Sequence, residues 1–538
     1  MDISLIIPVY NVEEKYFREC LDSVLAQNMR KIEAIIADDG STNGCGEIAD
    51  EYAARHQCFK VLHLKNGGPG KARNIALSHA TGKYLAFLDS DDVLVPGILD
   101  KMFHRAEHDK SDVTICNVVR FNSEKIWNSY NHRRVFRDLD SITDVRKSPE
   151  LLYDTVSSNK LIRRNLWKRF ELKYPEGILY EDIPVMTQVY LRANQVSVIR
   201  STGYMWRVRD GETNSTTQRR LEFSNLQDRL ASLRMLDKVF DEIVPDKALH
   251  FEKQIKVLKL DLKMYLNLCI SQNHEEAELY AEAIREYIRE SISDEAIASL
   301  IPIDQEIYRA LMDDDLERLA KLSDFRKKRY KKAPCFENES KLYIKADKDL
   351  FDEENLDITE SMKRRFPKVR LRTFETLEDG RFRLVGHLYL PMINIPDTNY
   401  QDVRAFLCDE YTGEETELKV EKRINRWTKG DKCIVTDEMT GESVSYDYKG
   451  TAFNVYLDPA DIRRPQKESV ILLRYENRFC QGTTLLRNPG KNTANRIKDV
   501  ELSSNGITIT LALGIKKVLI VNAVGNSLKY KVRGLFGR

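Results

Sequence analysis

The sequence has almost no net charge, because 85 basic residues face 84 acidic ones and leave a formal charge of +1. No strong overall field would therefore attract a nucleic acid, and we expect no nucleic-acid partner. The nine cysteines include no Cys-x-x-Cys pair. Their scatter predicts reduced thiols and argues against a disulfide framework or a cysteine-based zinc site.

Long apolar runs are also missing. No stretch approaches the ~18 consecutive apolar residues that predict a membrane-spanning helix. The first residues, Met1 to Leu5, lack the basic segment of a secretory signal and lead directly into a strand pattern. We therefore expect a cytoplasmic protein that no helix anchors in a membrane.

The N-terminal region alternates strand and helix patterns. A chain of 538 residues is too long for one hydrophobic core and predicts several domains. Strands separated by single helices predict right-handed βαβ units around a mostly parallel, Rossmann-like α/β sheet. The predicted strands are residues 3–9, 32–37, 59–64 and 84–88, and the predicted helices are residues 14–27, 46–56 and 71–80.

The pattern changes twice further along the chain. From residue 218 the apolar spacing is near 3.6, which predicts a helical linker domain. Beyond the hinge at Lys331 to Pro334, alternating apolar and polar residues predict antiparallel, immunoglobulin-like β-sandwiches. The predicted domains are residues 1–217, 218–335, 336–464 and 465–538, with the last boundary at Arg464 and Pro465.

The apolar run at residues 84–88 ends abruptly in Asp89, Ser90, Asp91 and Asp92. Ligands of open α/β sheets bind at the carboxyl ends of the strands. Adjacent carboxylates are costly unless a cation compensates them, and oxygen ligands suit Mg²⁺ or Mn²⁺. This pattern indicates a divalent metal that holds a phosphorylated substrate. The alternative is a solvated turn that caps the next helix.

Residues at two other strand ends are candidates for binding a sugar nucleotide that donates its sugar. Pro8 and Tyr10 offer a kinked loop and an aromatic face on which a uracil would stack. Asp38 and Asp39 offer acceptors for the uracil N–H. A turn followed by a helix cap is the alternative interpretation of the two aspartates, and both interpretations can hold together.

The segment from Asn66 to Asn74 is rich in glycine and enters a helix. Glycines permit close backbone approach, and a helix N-terminus beside Lys71 and Arg73 favours a diphosphate. The spacing is not that of a Walker loop. A flexible loop that binds nothing is the alternative.

A second acidic pair, Glu181 and Asp182, offers a general base for an acceptor hydroxyl. The alternative is a first-turn helix acid that the helix dipole favours. Upstream, Lys160 is a candidate contact for phosphate or acceptor. Downstream, a loop with Arg207, Arg209 and residues 214–217 would close over a diphosphate, or would be a surface loop.

Taken together, the motifs resemble glycosyltransferase family 2, the inverting GT-A enzymes. The resemblance covers roughly residues 1 to 220 and rests on five motifs in the family's order. These motifs are Pro-Val-Tyr-Asn at residues 8–11, Asp-Asp-Gly-Ser at 38–41, Gly-Pro-Gly-Lys-Ala-Arg-Asn at 68–74, Asp-Ser-Asp-Asp at 89–92 and Glu-Asp at 181–182.

The resemblance implies a role for each motif. Asp89 and Asp91 would be the Asp-x-Asp motif, which binds Mn²⁺ or Mg²⁺ and the donor. Asp182 would be the catalytic base. The residues that would bind uridine and ribose are Pro8, Tyr10, Asp38 or Asp39, Asn66 and Arg73, and Ser90 lies within the donor motif.

Residues 67–74, 174–182 and 190–194 also resemble the members of this family that add N-acetylglucosamine to poly(ribitol phosphate). The order of domains is similar as well. This resemblance implies a UDP-sugar donor, a polyol-phosphate or polysaccharide acceptor of the cell envelope, and a homo-oligomer, namely a trimer assembled by the C-terminal modules.

Two alternatives stay open, and the carboxylates argue only against the first of them. One alternative is an inactive domain in a carbohydrate-binding or scaffold protein, which would usually lose Asp91 or Asp182. The other is the polymerase module of a bifunctional capsule or teichoic acid synthase.

Several further features have a plainer interpretation. The basic run 326–332 would touch an anionic polymer or membrane headgroups, or form a solvated hinge face. The basic tail 529–538 would dock on the inner face of the membrane, or be the cut edge of a longer chain. Trp427 would stack on a sugar or pack in a sandwich core. The nine histidines show no metal-ligand spacing.

Overall fold

The computed structural model describes residues 1–520 except 28, 210–221, 270–273, 331, 364, 425–431, 438–440, 442, 459–468, 487–499, 504–505 and 514–515. The predictions for residues 214–217, for Trp427, for the boundary at Arg464 and Pro465, and for the basic tail 529–538 lie outside the described residues.

The N-terminal domain is built on one large sheet. Its strands are β1 (Ile3–Val9), β2 (Ile32–Asp38), β3 (Phe59–His63), β4 (Tyr84–Phe87), β5 (Val93–Leu94), β6 (Val113–Phe121), β7 (Ile126–Asn128), β8 (Ile142–Thr143), β9 (Lys160–Arg163) and β10 (Val196–Arg207). Its helices are α1 (Glu14–Leu25), α2 (Cys45–Arg55), α3 (Pro69–Ser78), α4 (Ile98–Asp109), α5 (Tyr130–Asp138), α6 (Arg164–Arg169) and α7 (Asp182–Arg192), with a 3₁₀ turn at Pro149–Tyr153.

The described strands follow the order β3-β2-β1-β4-β9-β6-β10-β5. The parallel arrangement predicted for the first four strands is confirmed, since β1 pairs in parallel with both β2 and β4. Strand β9 was not predicted, and it lies antiparallel between β4 and β6. The sheet is therefore mixed but mostly parallel.

Both faces of this sheet are buried, which explains the continuous apolar runs in its strands. Leu5 packs with Phe17 of α1 on one face, whereas Ile6 packs with Ala72 of α3 on the other. Helices on both faces leave the strand ends as the open edge of the domain, which is where loops can form a site.

The helical region begins with α8 (Phe223–Ile243), which packs against α7. It continues with α9 (Lys247–Lys256), α10 (Lys263–Cys269), α11 (His274–Ser291), α12 (Asp294–Ala298), α13 (Pro302–Met312) and α14 (Leu316–Phe325), with π-helical turns at Val257–Leu262 and Arg326–Tyr330. In the described part of the chain, no helix has the length and apolar character required to cross a bilayer.

The C-terminal region is antiparallel, as predicted. Its strands are β11 (Phe336–Asn338), β12 (Lys341–Lys345), β13 (Asn355–Asp357), β14 (Lys368–Thr376), β15 (Phe382–Tyr389), β16 (Gln401–Asp409), β17 (Glu415–Arg423), β18 (Lys432–Thr436), β19 (Ser443–Asp447), β20 (Ala452–Leu457), β21 (Ser469–Asn477), β22 (Cys480–Leu485), β23 (Val500–Ser503), β24 (Gly506–Leu513) and β25 (Lys516–Ile520). One helix, α15 (Thr359–Lys363), lies among them.

The predicted boundary at residues 464–465 does not separate two sheets. Strand β21 follows this boundary, yet it pairs with β16 from Gln401↔Asn477 to Asp409↔Ser469. Leu407 and Leu473 also belong to the same hydrophobic core. Long-range pairing therefore joins the two predicted sandwiches into a continuous sheet, which local alternation of apolar residues cannot reveal.

A buried ion pair connects the N-terminal domain to the β region. Lys101 of α4 is 4% exposed and Glu410 is 1% exposed. The Lys101 ammonium lies 3.3 Å from Glu410 Oε2, and Glu410 Oε1 accepts a 2.7 Å hydrogen bond from the Ser201 backbone N–H. The β region is thus anchored to the N-terminal domain by groups that water does not reach.

We predict that Glu410→Gln destabilises the protein, because the buried Lys101 ammonium would lose the negative charge of Glu410. Loss of one partner of a buried pair costs about 3–5 kcal/mol, whereas an exposed pair contributes ~0–1 kcal/mol. Urea unfolding of Glu410→Gln and of a control, Glu317→Gln, measures the difference, since Glu317 forms an exposed pair with Lys321. The double variant Lys101→Met/Glu410→Gln should recover most of the loss. Equal stability of the two single variants would contradict this assignment.

Candidate active site at the open edge of the sheet

The carboxyl ends of β1, β2 and β4 meet at one edge of the N-terminal sheet. Val9 pairs with Asp38, and the Leu88 backbone N–H donates to the Ile6 carbonyl at 3.0 Å. Parallel register therefore places residues 10, 39 and 89 side by side, as expected from the sequence. Tyr10 is 51% exposed at this edge and leaves an aromatic face open to a ligand.

Asp39 holds the glycine-rich loop through both carboxylate oxygens. Oδ1 accepts from the Gly67 N–H at 2.9 Å, and Oδ2 accepts from the Gly68 N–H at 2.8 Å. Gly68 has a φ of +86°, a conformation that side chains disfavour. Asn66 Nδ2 donates to the Asp39 carbonyl at 3.0 Å. Burial raises the pKa of Asp39, while the two loop N–H groups oppose that change.

Asp38 supports the turn interpretation. Its Oδ1 accepts from the Ser41 N–H at 3.0 Å, and its Oδ2 lies 3.0 Å from His63 Nδ1. These contacts order the turn before α2. Donor binding by Asp38, Asp39 and Asn66 stays a prediction, although all three lie at the open edge.

Arg73 is the central group of the site. It is 6% exposed, its Nη2 donates to Asp89 Oδ1 at 2.8 Å, and its Nη1 donates to Glu181 Oε1. Its guanidinium carbon also lies 5.3 Å from the centroid of the Tyr174 ring. Burial lowers the pKa of Arg73, but Glu181 and Asp89 outweigh this effect and raise it. One cation thus joins the two acidic motifs.

The approach of α3 to the segment before α7 requires a glycine. A Cβ atom at Gly70 would lie 2.1 Å from the Pro175 carbonyl oxygen. Asn74 of the same helix donates to the Tyr174 carbonyl at 2.9 Å and accepts from the Tyr174 N–H at 2.9 Å. The glycine loop and the acidic pair therefore form one structure.

Asp182 is the first residue of α7 and is half-buried beside Glu181. Burial and the Glu181 charge raise the pKa of Asp182 to about 7, while Arg73 and Arg229 oppose the increase. A carboxylate whose pKa lies near neutrality is suited to accept a proton at neutral pH. The geometry thus supports the base role predicted for Asp182.

Contacts with the helical region position the turn that carries Asp182. These contacts were not predicted from the sequence. Tyr180 adopts a positive φ of 64° and donates to Asn225 Oδ1 of α8 at 2.8 Å. Arg229 lies over the Tyr180 ring at 3.8 Å and pairs with Asp261 at 3.2 Å. The turn before α7 is therefore held by α8 and by the π-helical turn.

The acids of the 89–92 cluster have different surroundings. The side chain of Asp89 is 42% exposed and that of Asp91 is 15% exposed. Asp92 is 2% exposed and accepts from the Tyr204 hydroxyl and from the Arg207 N–H, each at 2.6 Å. Burial and the neighbouring Asp91 and Asp89 raise the pKa of Asp92. Asp92 thus attaches the cluster to β10.

Arg207 and Arg209 approach the same cluster from β10. Arg209 lies 2.8 Å from Asp91 Oδ2. Arg207 donates to the Asp91 carbonyl at 2.5 Å and pairs with Glu19 at 2.7 Å. Its guanidinium lies between the rings of Tyr16 and Phe121, at 4.2 and 4.4 Å. Both arginines reach the acids, and their diphosphate contact stays a prediction.

Lys160 lies beneath the site, where it is 1% exposed. Its ammonium binds Asp154 at 3.0 Å, Asn159 Oδ1 at 2.7 Å and the Val156 carbonyl at 2.6 Å. Burial lowers the pKa of Lys160, whereas Asp154 raises it. These contacts stabilise the end of β9, and a contact with phosphate or acceptor stays a prediction.

The partly exposed carboxylates of Asp89 and Asp91 suit a hard divalent cation. Among the described residues, no three His, Cys, Asp or Glu side chains cluster as a complete metal cage. Mg²⁺ is usually held by one or two carboxylates together with substrate phosphates and water. Two carboxylates at an open edge therefore fit a metal that arrives with its ligand.

Comparison with known proteins identifies related sequences. Residues 4–170 match Glycosyl transferase family 2. The chain is 30% identical over 209 residues to the uncharacterized glycosyltransferase EpsJ of Bacillus subtilis, which covers 38% of this chain and 60% of EpsJ. It is 30% identical over 255 residues to the poly(ribitol-phosphate) beta-N-acetylglucosaminyltransferase TarS of Staphylococcus aureus, which covers 46% of this chain and 43% of TarS. Each match spans less than two thirds of the relative.

Solved structures show the same fold. A crystal structure of S. aureus TarS aligns with a TM-score of 0.50 at 19% identity, over 91% of this chain and 78% of that one. The structure of TarS 1–349 with UDP-GlcNAc aligns with a TM-score of 0.51 at 22% identity, over 64% and 96% of the two chains. The GT-A fold predicted for the N-terminal domain is thus confirmed, and within it residues 4–170 are similar in sequence to the family 2 glycosyltransferases.

Proposed function

We propose that this protein is an inverting glycosyltransferase that moves N-acetylglucosamine from UDP-N-acetylglucosamine to a hydroxyl of a polyol-phosphate polymer of the cell envelope. The observation that carries the proposal is that the buried Arg73 forms ion pairs with both Asp89 and Glu181. Asp182 follows Glu181 directly, and burial and the Glu181 charge raise its pKa to about 7. This arrangement combines a donor-side carboxylate and a general base in one site.

The donor would bind along the ends of β1, β2 and β4. Tyr10 would stack on the uracil, Asp38 or Asp39 would accept from its N–H, and Asn66 and Arg73 would contact the ribose. UDP-GlcNAc is the ligand in the TarS 1–349 complex, and this supports the same donor class here. Arg207 and Arg209 would offset the charge that develops on the departing UDP.

Asp182 would take the proton of the acceptor hydroxyl as its oxygen attacks the anomeric carbon. Attack from the face opposite the UDP inverts the configuration at that carbon. Glu181 raises the proton affinity of Asp182, and the ionised Arg73 keeps Glu181 in place. The helical region contributes through Arg229, whose charge opposes the rise in the pKa of Asp182.

Asp89 and Asp91 would hold Mn²⁺ or Mg²⁺ together with the donor diphosphate. When bound, such a cation neutralises negative charge on the leaving diphosphate. Without the donor, Arg73 and Arg209 provide the positive charge beside the two aspartates. The metal requirement is therefore expected to appear when the diphosphate is present.

The proposed acceptor is supported by the similarity to TarS, whose name specifies poly(ribitol-phosphate). We propose a cytoplasmic enzyme, in contact with the inner face of the membrane, that acts on the polymer before export. A homo-trimer would place several acceptor sites on one particle, and avidity would then favour a repetitive polymer.

We predict that Asp182→Asn abolishes transfer but leaves donor binding intact, because an amide cannot accept the hydroxyl proton. Loss of a general base lowers kcat by ~10²-fold or more. UDP affinity from calorimetry and UDP release during transfer to poly(ribitol phosphate) separate the two effects. Asp241→Asn, at an exposed position of α8, is the matched control. Transfer by Asp182→Asn at the parental rate would refute the base assignment.

The raised pKa of Asp182 also predicts two pH effects. The base is active only when ionised, so the transfer rate should rise with pH until about pH 7 and then level. Ionisation also disfavours the folded state, because the folded-state pKa of about 7 exceeds the ordinary value of 3.8. That cost is absent below the ordinary pKa and complete above pH 7.

Asp182→Asn should therefore raise the melting temperature relative to the parent, and the gain should be larger at alkaline pH than at acidic pH. Differential scanning calorimetry of both proteins across this range measures the gain. A pH-independent difference, together with an acidic limb of the rate profile near the ordinary pKa of aspartate, would contradict the assignment.

We predict that Asp91→Asn removes the dependence of UDP binding on a divalent cation. The parent should bind UDP at least about tenfold more tightly, or about 1.4 kcal/mol, with Mn²⁺ than with a chelator. The variant should show the same weak affinity in both conditions, because one of two carboxylate ligands is lost. Asp100→Asn, on the exposed side of α4, is the matched control. If Mn²⁺ still strengthened UDP binding by Asp91→Asn, the result would contradict Asp91 as a metal ligand.

A further inference from the structure

A cleft separates the GT-A domain from the β region where α5 packs against β22. Its inner part is a pocket of about 40 Å³ whose lining includes Arg133, Arg137, Arg200 and Thr483. Arg137 and Thr483 also line a wider groove of about 800 Å³ along β21 and β22. We call the pocket and the groove together the arginine cleft.

Arg200 is a buried cation at the base of the pocket. It is 5% exposed, and its Nη1 and Nη2 donate to the Phe136 and Leu139 carbonyls at 3.3 and 2.5 Å. Its Nε is buried without a hydrogen-bond partner. Burial lowers the pKa of Arg200, whereas the more distant charges of Glu415 and Glu410 raise it in part. A donor of this guanidinium is thus left unsatisfied.

Arg133 has similar surroundings. Its guanidinium lies 4.0 Å from the centroid of the Phe366 ring, and its Nη2 donates to the Pro367 carbonyl at 3.5 Å. Burial lowers the pKa of Arg133. Within the part of the chain that the structure describes, neither Arg133 nor Arg200 forms an ion pair with a carboxylate. The guanidinium of Arg200 is buried and that of Arg133 half-buried, and neither is bonded directly to a carboxylate, so this pocket favours an anion.

Two basic side chains of the groove, Arg404 and Arg474, have acidic partners. Arg404 binds Glu417 through two nitrogens, at 2.8 and 2.9 Å. Arg474 pairs with Glu415 at 2.6 Å. They thus differ from Arg133 and Arg200 of the inner pocket, for which the described residues provide no directly bonded carboxylate.

The chemistry of the pocket matches a phosphate group. Guanidinium groups bind phosphate oxygens through paired N–H donors, and the hydroxyls of Thr483 and Thr484 provide further donors. A pocket of about 40 Å³ holds more than one water, since a single water needs roughly 10–15 Å³. The adjoining groove of about 800 Å³ provides space for the chain that continues from that phosphate.

We propose that the arginine cleft binds a phosphodiester of the acceptor polymer, away from the site of transfer; this rests on the proposed function. Arg200 and Arg207 lie on the same strand, seven residues apart, and β10 is bulged between them, so the cleft and the catalytic edge are separated by less than about 23 Å. One polymer would occupy both sites, and the second contact would raise the local concentration of acceptor hydroxyls at Asp182.

The first test measures thermal stabilisation by inorganic phosphate. Phosphate in the millimolar range should raise the melting temperature of the parent and of Arg289→Gln, a control at an exposed position of α11. The double variant Arg133→Gln/Arg137→Gln should show no increase. Thr483→Glu should be equally insensitive, because its carboxylate would occupy the cleft. No response in the parent, or equal responses in all four proteins, would overturn the proposal.

The second test measures binding of poly(ribitol phosphate) and hydrolysis of UDP-N-acetylglucosamine by the same four proteins. The two cleft variants should bind the polymer at least about tenfold more weakly, yet hydrolyse the donor at the parental rate. Parental polymer affinity in these variants would overturn the polymer as the ligand. Failure of every protein to hydrolyse the donor, with the phosphate response still lost in the variants, would refute the proposed function and leave the phosphate site supported.

Discussion

Arg73 is the residue on which the active-site geometry depends. Two carboxylates from distant segments, Asp89 and Glu181, approach one buried guanidinium, which compensates charges that would otherwise repel each other. Gly70 allows the helix that carries Arg73 to lie against the Pro175 carbonyl. Because Glu181 precedes α7 directly, the Arg73 contact also determines where Asp182 lies. The donor side and the acceptor side of the site are thus positioned by one cation.

The helical region takes part in the site and is more than a linker. Tyr180, Asn225 and Tyr265 form a buried hydrogen-bond cluster, with Tyr265 donating to Asn225 Oδ1 at 2.7 Å. Arg229 links this cluster to Asp261. Since Tyr180 lies two residues before Asp182, changes in the packing of the helical region would alter the base without touching the donor.

The partners of the buried cations distinguish the structural ion pairs of the protein from the arginine cleft. Lys101 is compensated by Glu410, and Lys160 by Asp154, so these contacts stabilise the fold. Arg200 is as deeply buried as these lysines, yet its described partners are carbonyl oxygens with only partial charge. This difference is why the former contacts are interpreted as structural and the arginine cleft as a place for a ligand.

The sequence by itself determined the elements and the strand ends that carry polar residues. Apolar periodicity and turn residues act within one element, so β1 at Ile3–Val9 and the acids after β4 could be predicted locally. The partners of those acids depend on which elements pack together, and only the tertiary structure decided them. Arg73 meets Glu181 across 108 residues of chain, and β21 joins β16 rather than beginning a separate sheet. No local pattern encodes such contacts, because they exist only after the intervening chain has folded.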